Sequence, residues 1–273
     1  MTGSIEWEGG VGRTWAAEWQ RTDRSFAPLT ARLLEAIAPL PGSSIVDIGC
    51  GAGELSLALA AARPHAEVLG LDISPDLVEV ASRRAEPQNN CRFVLGDAAS
   101  WKPAGAAPDL YVSRHGVMFF ADPVAAFAHL AAVAGAGAAL CFSCFRSPAE
   151  NPWASGIAKL LPATPPGDPF APGPFAFADP DRVRSILASS GWGEPELEAV
   201  DFRYVAGRGP DAVAEACDFF SRIGPAARAM REMPGAEREA FRERLRGFVA
   251  ERSADGEVAF PAAAWIVTAR RAG

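Results

Sequence analysis

Three glycines at alternate positions follow a short apolar run, and this arrangement constrains the fold more than any other part of the sequence. The run, 45–48, is followed by Gly49, Gly51 and Gly53, and 54–60 has the pattern of a helix. This order predicts a strand, a tight turn and a helix. Glycine accepts positive φ and lets a ligand lie against the backbone, while a helix start presents unpaired N–H groups. The turn is therefore predicted to bind a negatively charged or carbonyl-rich group.

Strand patterns recur along the chain with helical patterns between them. The predicted strands are 44–48, 67–71, 91–95, 109–113, 138–145, 196–205 and 263–269. Strands that alternate with helices at this spacing indicate parallel βαβ units. We therefore expect an α/β fold of the Rossmann-like, doubly wound type, with a mostly parallel seven-stranded sheet.

The rest of the sequence is expected to complete one domain over 1–273. Its predicted parts are N-terminal helices at 1–42, with Trp15 and Trp19 on one face of the first helix; a core at 43–145; an ordered but irregular cap segment rich in proline and phenylalanine at 146–178; and 179–273, with a helical insert at 210–252. Ligands of parallel sheets bind beyond the carboxyl ends of the strands, and the cap segment and the insert can both cover that edge.

The composition excludes several classes of protein. The chain has 273 residues, is 49% hydrophobic and has a net charge of −7, which argues against nucleic acid or an anionic membrane as the main partner. No signal peptide is visible, and the alanine-rich region 124–145 is too interrupted to span a bilayer. The five cysteines fit a reducing compartment, so we expect a cytoplasmic protein. Cys141 and Cys144 fall within one predicted strand, where core packing is expected and a metal is not.

Two kinds of glycine turn compete for the stretch 49–53. In the dinucleotide-binding fingerprint a third glycine would stand where this chain has Glu54. A carboxylate there would repel a pyrophosphate but would tolerate a ligand with an ammonium and a sulfonium. A P-loop is excluded because no Gly-Lys-Ser/Thr follows the turn.

The stretch 46–53, Val-Asp-Ile-Gly-Cys-Gly-Ala-Gly, resembles motif I of the class I S-adenosylmethionine-dependent methyltransferases. The resemblance continues in Asp72 at the end of the second strand, in Gly96-Asp97 at the end of the third, and in 113–123. It extends to 261–271 and points to a bacterial subgroup that acts on small molecules. One departure is the Gly-Ala-Gly at 135–137, where relatives carry Pro-Gly-Gly.

The resemblance implies S-adenosylmethionine as the cofactor and assigns roles to residues near it. Asp72 would accept hydrogen bonds from the ribose hydroxyls, and Asp97 would lie at the adenine amino group. The full set of predicted cofactor contacts is Asp47, Gly49, Cys50, Gly51, Asp72, Ile73, Asp97, Ala98 and Ser113, with Trp19 as a further candidate. Each acid taken alone could instead be a cap or turn residue.

The loop after the fourth strand, 113–116, is where such enzymes face the transferred methyl group. It lacks both the Asn/Asp-Pro-Pro-aromatic signature of nucleic-acid base methylation and the acid of a metal-dependent type. His115 is the best candidate for a catalytic base, because its pKa can lie near neutrality. The alternative is that His115 packs beside the cofactor.

The substrate is predicted to be a small, mostly apolar molecule, methylated at an O, N or C atom by a monomer or homodimer. Its aromatic contacts would come from Phe170, Phe175, Phe177, Phe219 and Phe220. These rings could instead form only the core of the cap. Two other functions stay open: a cyclisation or isomerisation that keeps the cofactor unchanged, and methylation of a peptide or protein.

Overall fold

One twisted sheet runs through the centre of the computed structural model, which describes residues 4–86, 88–162 and 167–273. In chain order its elements are α1 (Ser4–Glu8), α2 (Gly10–Ala17), α3 (Trp19–Ile37), β1 (Ser44–Ile48), α4 (Glu54–Ala62), β2 (Glu67–Asp72), α5 (Pro75–Ala85), β3 (Cys91–Leu95), β4 (Leu110–Arg114), α6 (Pro123–Val133), β5 (Ala139–Phe145), α7 (Pro152–Leu160), α8 (Pro180–Ala188), β6 (Glu196–Arg208), α9 (Ala212–Arg222), α10 (Pro225–Glu232), α11 (Gly235–Ala250), β7 (Ser253–Ala254) and β8 (Glu257–Arg270). Short 3-10 turns lie at Val117–Phe119 and Pro148–Glu150.

The strand order is β3-β2-β1-β4-β5-β8-β6, and β7 pairs with β8. Strands β1 to β5 are parallel, whereas β8 runs antiparallel to both β5 and β6. The order reverses direction at β1 and β4, and such a switch point opens a crevice at the carboxyl ends of the strands. The predicted doubly wound, mostly parallel α/β sheet is confirmed. The strand beyond the predicted seven is β7, which has 2 residues.

Helix starts follow the local sequence rules. Ser74 accepts a hydrogen bond from the backbone of Leu77 at the start of α5, with Pro75 in the first helical position. Asp122 and Asp179 cap α6 and α8 in the same way. These caps fix where the helices begin after β2 and β4, and therefore where the loops of the crevice end.

Two predictions of local structure need correction. The segment 146–178 is not wholly irregular, because Asn151-Pro152 begins the helix α7, on which Trp153 and Ile157 bury one face; residues 163–166 of this segment lie outside the described residues. Trp15 and Trp19 do not share a helix, since α2 ends and α3 begins on either side of Glu18.

The antiparallel end of the sheet is longer than its apolar pattern suggested. Strands β6 and β8 have 13 and 14 residues and pair along nearly their full length. Their extension carries the insert, which holds the three helices α9, α10 and α11. The helix α9 packs directly on β6 at Gly207, where a Cβ would lie 2.1 Å from the carbonyl oxygen of Ala212. The insert therefore sits against the sheet.

The core is one continuous apolar cluster that joins α3, the sheet and the insert. Leu29, Leu33 and Ile37 form the buried stripe of α3, as their helical spacing predicts. Cys141 and Cys144 are fully buried in β5, and all five cysteines are free thiols. Within the described residues, no helix combines the length and apolar character needed to cross a bilayer.

Candidate functional site

The glycine turn between β1 and α4 has the backbone conformation that its sequence predicts. Gly49, Gly51 and Gly53 have φ of 63°, 56° and 89°, in the left-handed region that favours glycine. A Cβ on Gly49 would lie 2.8 Å from the Cα of Gly116, and one on Gly53 would lie 2.7 Å from the ring of Phe93. A Cβ on Gly51 would meet nothing within 4 Å. Gly51 is thus the glycine of the turn that faces open space.

Asp72, at the carboxyl end of β2, is hydrogen-bonded to the backbone of the turn. Its two carboxylate oxygens accept hydrogen bonds from the backbone N–H groups of Gly51 and Ser74, both at 2.9 Å. Burial raises the pKa of Asp72, and hydrogen bonds from the backbone oppose the rise. Each carboxylate oxygen has a second lone pair, so Asp72 can still accept from a ligand hydroxyl beside Gly51.

Asp47, within β1, contributes a buried oxygen with no partner. One carboxylate oxygen accepts from the hydroxyl of Ser56 at 2.6 Å. The other, Oδ1, is buried and has no hydrogen-bond partner among the described residues. Desolvation raises the pKa of Asp47 to about 7. A buried acceptor without a donor is costly, so this oxygen marks a place for a donor such as an ammonium group.

Three more of the predicted cofactor contacts are Ser113, Cys50 and Ile73. Ser113 is buried and holds the loop: its hydroxyl donates to the carbonyl of Ile48 at 2.6 Å and accepts from the N–H of Gly116 at 3.1 Å. The Cys50 thiol is buried, which raises its pKa, so it stays neutral. Ile73 is half-buried directly after Asp72.

Asp97 and Ala98 follow β3 on the neighbouring side of the crevice. The exposed carboxylate of Asp97 accepts from the backbone N–H of Ala99 at 2.9 Å, and Ala98 is buried. The preceding residue, Gly96, donates its N–H to the carbonyl of Asp72 at 2.9 Å. Asp72 and Asp97 therefore stand at the ends of adjacent strands, as the sequence predicts.

His115 directly follows β4 in a strained conformation, with a φ of 66° that is unusual for a residue with a side chain. Its ring stacks on Phe145 with the ring centroids 4.1 Å apart and meets Phe26 edge-on at 5.3 Å. Its Nε2 is buried without a partner among the described residues. Burial, together with the positive charge of Arg114, lowers the pKa of His115 to about 3. The imidazole is therefore neutral at physiological pH.

A chain of alternating charges lies over the turn, and the sequence reasoning did not find it. Arg114 pairs with Glu54 and stands 3.9 Å from Asp23, which in turn pairs with Arg84 at 2.7 Å. Arg84 also donates to the carbonyl of Ala52, inside the turn, at 2.6 Å. We call Asp23, Glu54, Arg84 and Arg114 the turn cluster. The only sequence signal was an arginine at the end of β4 and an acid directly after the glycines.

The N-terminal helices contact the same edge. A Cβ on Gly12 of α2 would lie 2.1 Å from the hydroxyl of Ser74, so α2 touches the loop after β2. Trp7 of α1 meets Phe119, in the loop after β4, with the ring centroids 5.1 Å apart. Trp19 lies under the guanidinium of Arg84, 3.9 Å from ring centroid to Cζ. Trp19 thus reaches the crevice through the turn cluster.

The five predicted substrate aromatics do not all come together. Phe175 contacts Phe145 at 5.8 Å, next to His115. Phe219 and Phe220 are buried and pack around Tyr204, within the insert and β6.

The other two lie elsewhere. Phe170 is 47% exposed and lies against Arg182. Phe177 is buried against Phe127 and Phe142 in the core between the sheet and α6. The structure therefore contradicts one shared pocket for all five. Burial of Phe177 and exposure of Phe170 are tertiary outcomes that a proline-rich stretch does not reveal.

Metal-ligating side chains do not cluster in the described part of the chain: it has no group of three or more His, Cys, Asp or Glu residues arranged to hold an ion. The crevice is instead built from backbone donors, two buried carboxylates and the neutral ring of His115.

Comparison with known proteins identifies a similarity to one class, the methyltransferases. Residues 45–137 match the family model described as a methyltransferase domain. This segment contains the glycine turn, Asp72, Asp97 and His115. This part of the chain is therefore similar to the methyltransferase domains of that family.

Individual relatives match about two fifths of this chain. Trans-aconitate 2-methyltransferase of Klebsiella pneumoniae (strain 342) is 36% identical over 102 residues, which cover 37% of this chain and 39% of that protein. Aklanonic acid methyltransferase DauC of Streptomyces sp. (strain C5) is 30% identical over 122 residues, 43% of this chain and 55% of that protein. The matched segments thus cover about two fifths of the first relative's length and just over half of the second's.

The fold extends further than the sequence similarity. Phosphoethanolamine N-methyltransferase 2 of Haemonchus contortus superposes on 95% of this chain and 57% of its own, with a TM-score of 0.54 and 16% identity. This likeness concerns the fold, and it includes the antiparallel end of the sheet and the insert.

The crevice fits the cofactor of this class on two observations. Gly51 presents open space beside Asp72, as a ribose or a methionine chain lying against the backbone requires. The Oδ1 of Asp47 offers a buried acceptor without a donor, and the cofactor carries an ammonium group. The pairing of Glu54 with Arg114 also leaves no excess negative charge at the start of α4.

Proposed function

We propose that the protein transfers the methyl group of S-adenosylmethionine to an O, N or C nucleophile of a small, mostly apolar molecule. The observation that carries the proposal is the open space at Gly51, whose N–H donates to the Asp72 carboxylate. The buried, partnerless oxygen of Asp47 supports it. The names of two relatives, which refer to trans-aconitate and aklanonic acid, support a small-molecule substrate.

In this proposal the chain supplies binding and position. Asp72, Ile73, Asp97 and Ala98 hold the nucleoside, while Asp47 and the N–H groups of the glycine turn hold the methionine end. When bound, the cofactor supplies an electrophilic methyl carbon. Displacement at such a carbon needs an aligned nucleophile above all, and holding the two reactants in line accounts for a large share of the rate.

His115 and its aromatic neighbours are proposed to receive the acceptor. Phe145 and Phe175 form an apolar wall beside the imidazole, and Nε2 has no partner within the described structure. A neutral ring with a pKa of about 3 is a weak base. His115 would therefore orient the acceptor by one hydrogen bond, taking its proton only if the acceptor is itself acidic.

The setting of the reaction is part of the same proposal. We infer a metal-independent, cytoplasmic enzyme made of one methyltransferase domain, monomeric or homodimeric, without nucleic-acid or membrane partners. The free thiols and the net charge of −7 support this setting.

Cofactor binding is tested by calorimetry with S-adenosylmethionine on the wild type, Asp72→Asn and Asp109→Asn. Asp109 also accepts backbone hydrogen bonds, from Ser43 and Ser44, but at the opposite edge of the sheet. We expect Asp72→Asn to weaken binding roughly tenfold or more, about 1.4 kcal/mol, and Asp109→Asn to leave it unchanged. Equal affinity for all three proteins would show that the cofactor does not lie on Asp72.

Methyl transfer is tested separately by incubation with the cofactor and a panel of small aromatic and carboxylic acids. Formation of S-adenosylhomocysteine together with a product heavier by one methylene is the expected result. Substrate consumption without S-adenosylhomocysteine would replace methyl transfer by an isomerisation or cyclisation.

A further inference from the structure

The helices of the insert form an open groove that has no part in the proposed methyl transfer. It lies between α9, α10 and α11 and has a volume of about 630 Å³, which is within the range of small-molecule sites. Its lining residues are Asp218, Ser221, Arg222, Ala227, Met230, Arg231, Arg238 and Arg242. We call it the arginine groove.

The groove has an excess of positive charge. Four of its lining residues are arginines and one is an acid, in a chain whose net charge is −7. The acid, Asp218, is already engaged, because it accepts from Arg21 at 2.7 Å and from Arg222 at 3.1 Å. Arg222 also pairs with Glu18 at 3.3 Å. These pairs leave three arginines of the groove without a carboxylate.

Those three arginines lack the ion pairs that the arginines of α3 form with α9. Among the described residues, Arg231 and Arg242 have no ion-pair or hydrogen-bond partner, and Arg238 donates only to the carbonyl of Met233, at 2.9 Å. The Nε of Arg238 is buried and lacks a hydrogen-bond acceptor within the described part of the chain. By contrast, Arg21 and Arg24, which contact α9 from α3, are both paired with Glu215.

This arrangement is costly unless an anion completes it. Like charges that converge on one groove repel each other, and a buried N–H without an acceptor loses its hydration without compensation. A guanidinium offers parallel N–H donors that match the oxygens of a carboxylate or a phosphate. Buried Met230 and Ala227 add an apolar part to the lining.

We propose that the arginine groove binds a small organic anion with two or more negative charges, carried by phosphoryl or carboxylate groups. Arg231, Arg238 and Arg242 contact the charges, and Met230 contacts the carbon skeleton. The size of the groove and its few charges fit a small molecule, since a nucleic-acid strand needs a longer run of cationic contacts.

The test is calorimetric titration of the full chain with two probes, inorganic pyrophosphate and citrate. The variant is the double substitution Arg231→Gln/Arg242→Gln. The matched control is Arg246→Gln/Arg252→Gln, which removes the same charge from α11 and the residues just after it, outside the lining of the groove. Thermal melting of each protein checks that it is folded.

We expect one probe at least to bind in a one-to-one complex that weakens with added salt. The groove variant should bind roughly tenfold or more weakly, in line with the loss of charge-assisted hydrogen bonds, and the control within about twofold of the wild type. Binding of pyrophosphate alone identifies a phosphoryl ligand, and binding of citrate alone identifies a polycarboxylate.

Two results would overturn the proposal. One is that neither pyrophosphate nor citrate binds at millimolar concentration. The other is an equal loss in the groove variant and in the control, which would mean that the overall charge, and not the groove, attracts the anion. Neither result depends on methyl transfer, since the titration contains no cofactor.

Discussion

Two groups of arginines, in the turn cluster and in the arginine groove, have opposite surroundings. In the turn cluster, Arg84 and Arg114 alternate with Asp23 and Glu54, and all four side chains are at most 20% exposed. In the groove three arginines line one space without a carboxylate partner among the described residues, and the acid is already paired. Compensated charges can be buried and hold elements together. Uncompensated charges stay near water and are available to a ligand.

The largest effect is expected from Arg114→Leu. This change leaves Glu54 and Asp23 partly buried without their shared cation, and loss of one partner from a buried pair costs on the order of 3 kcal/mol of unfolding free energy. Urea denaturation measures it. The control, Arg32→Leu, removes a cation from the exposed pair with Glu35 and should cost less than about 1 kcal/mol.

A second substitution tests whether the charges of the turn cluster compensate each other. Glu54→Leu in the Arg114→Leu background removes the stranded charge, so part of the lost stability should return. If the double variant is as unstable as the sum of the two single variants, the cluster does not act as a compensated unit.

The next effect concerns Gly51→Ala. Its φ of 56° makes a side chain cost roughly 1 kcal/mol, and the Cβ would enter the open space that is proposed to hold the cofactor. We expect cofactor affinity to fall tenfold or more in calorimetry. Gly137→Ala is the matched control, since Gly137 has a φ of 68° and also no neighbour within 4 Å of a Cβ, but lies before β5. Gly137→Ala should lower the stability and leave the cofactor affinity unchanged.

The pH dependence of stability separates Asp47 from His115. The folded pKa of Asp47, about 7, is above its unfolded value of about 3.9, so its contribution to stability is lost as pH rises through this window. The folded pKa of His115, about 3, is below its unfolded value of about 6.5, so its contribution is lost as pH falls. Between about pH 4 and 6.5, the contributions of Asp47 and His115 to the unfolding free energy therefore change with pH in opposite directions.

Single substitutions separate the contributions of Asp47 and His115 to the pH dependence of stability. The free energy of unfolding is measured by urea denaturation at pH 6 and at pH 5. Asp47→Asn leaves the His115 slope, and stability should fall by about 1 kcal/mol from pH 6 to pH 5. His115→Phe leaves the Asp47 slope, and stability should rise by about as much. Parallel behaviour of the two variants would contradict the assigned burial of one of them.

The smallest effect is expected in the groove. Arg231→Gln removes an exposed guanidinium that has no partner within the described structure, so the unfolding free energy should change by less than about 0.5 kcal/mol. Relief of repulsion would make the sign stabilising at low salt. A loss of more than about 1 kcal/mol in urea would place Arg231 in a structural contact, and the contrast between the two groups of arginines would not hold.

Sequence reasoning located the crevice well because its signals are local. The run 45–53 fixes a strand and a turn through residue type alone, and Asp72 and Asp97 follow strands whose parallel order brings their ends to one edge. The turn cluster was missed because its members are up to about ninety positions apart and none is unusual in its own segment. The same holds for Phe170 and Phe177, whose similar surroundings in sequence lead to opposite burial.

By itself, the sequence determined the doubly wound order of strands and helices, the glycine turn and the acids at the strand ends. These follow from apolar periodicity, from the φ that glycine tolerates and from helix caps, all of which act within a few residues. The tertiary structure decided which charges are compensated: it placed Arg114 among acids from two other segments and brought Arg231, Arg238 and Arg242 together without one. Electrostatic and desolvation energies depend on distances between remote residues, and only the folded chain sets those distances.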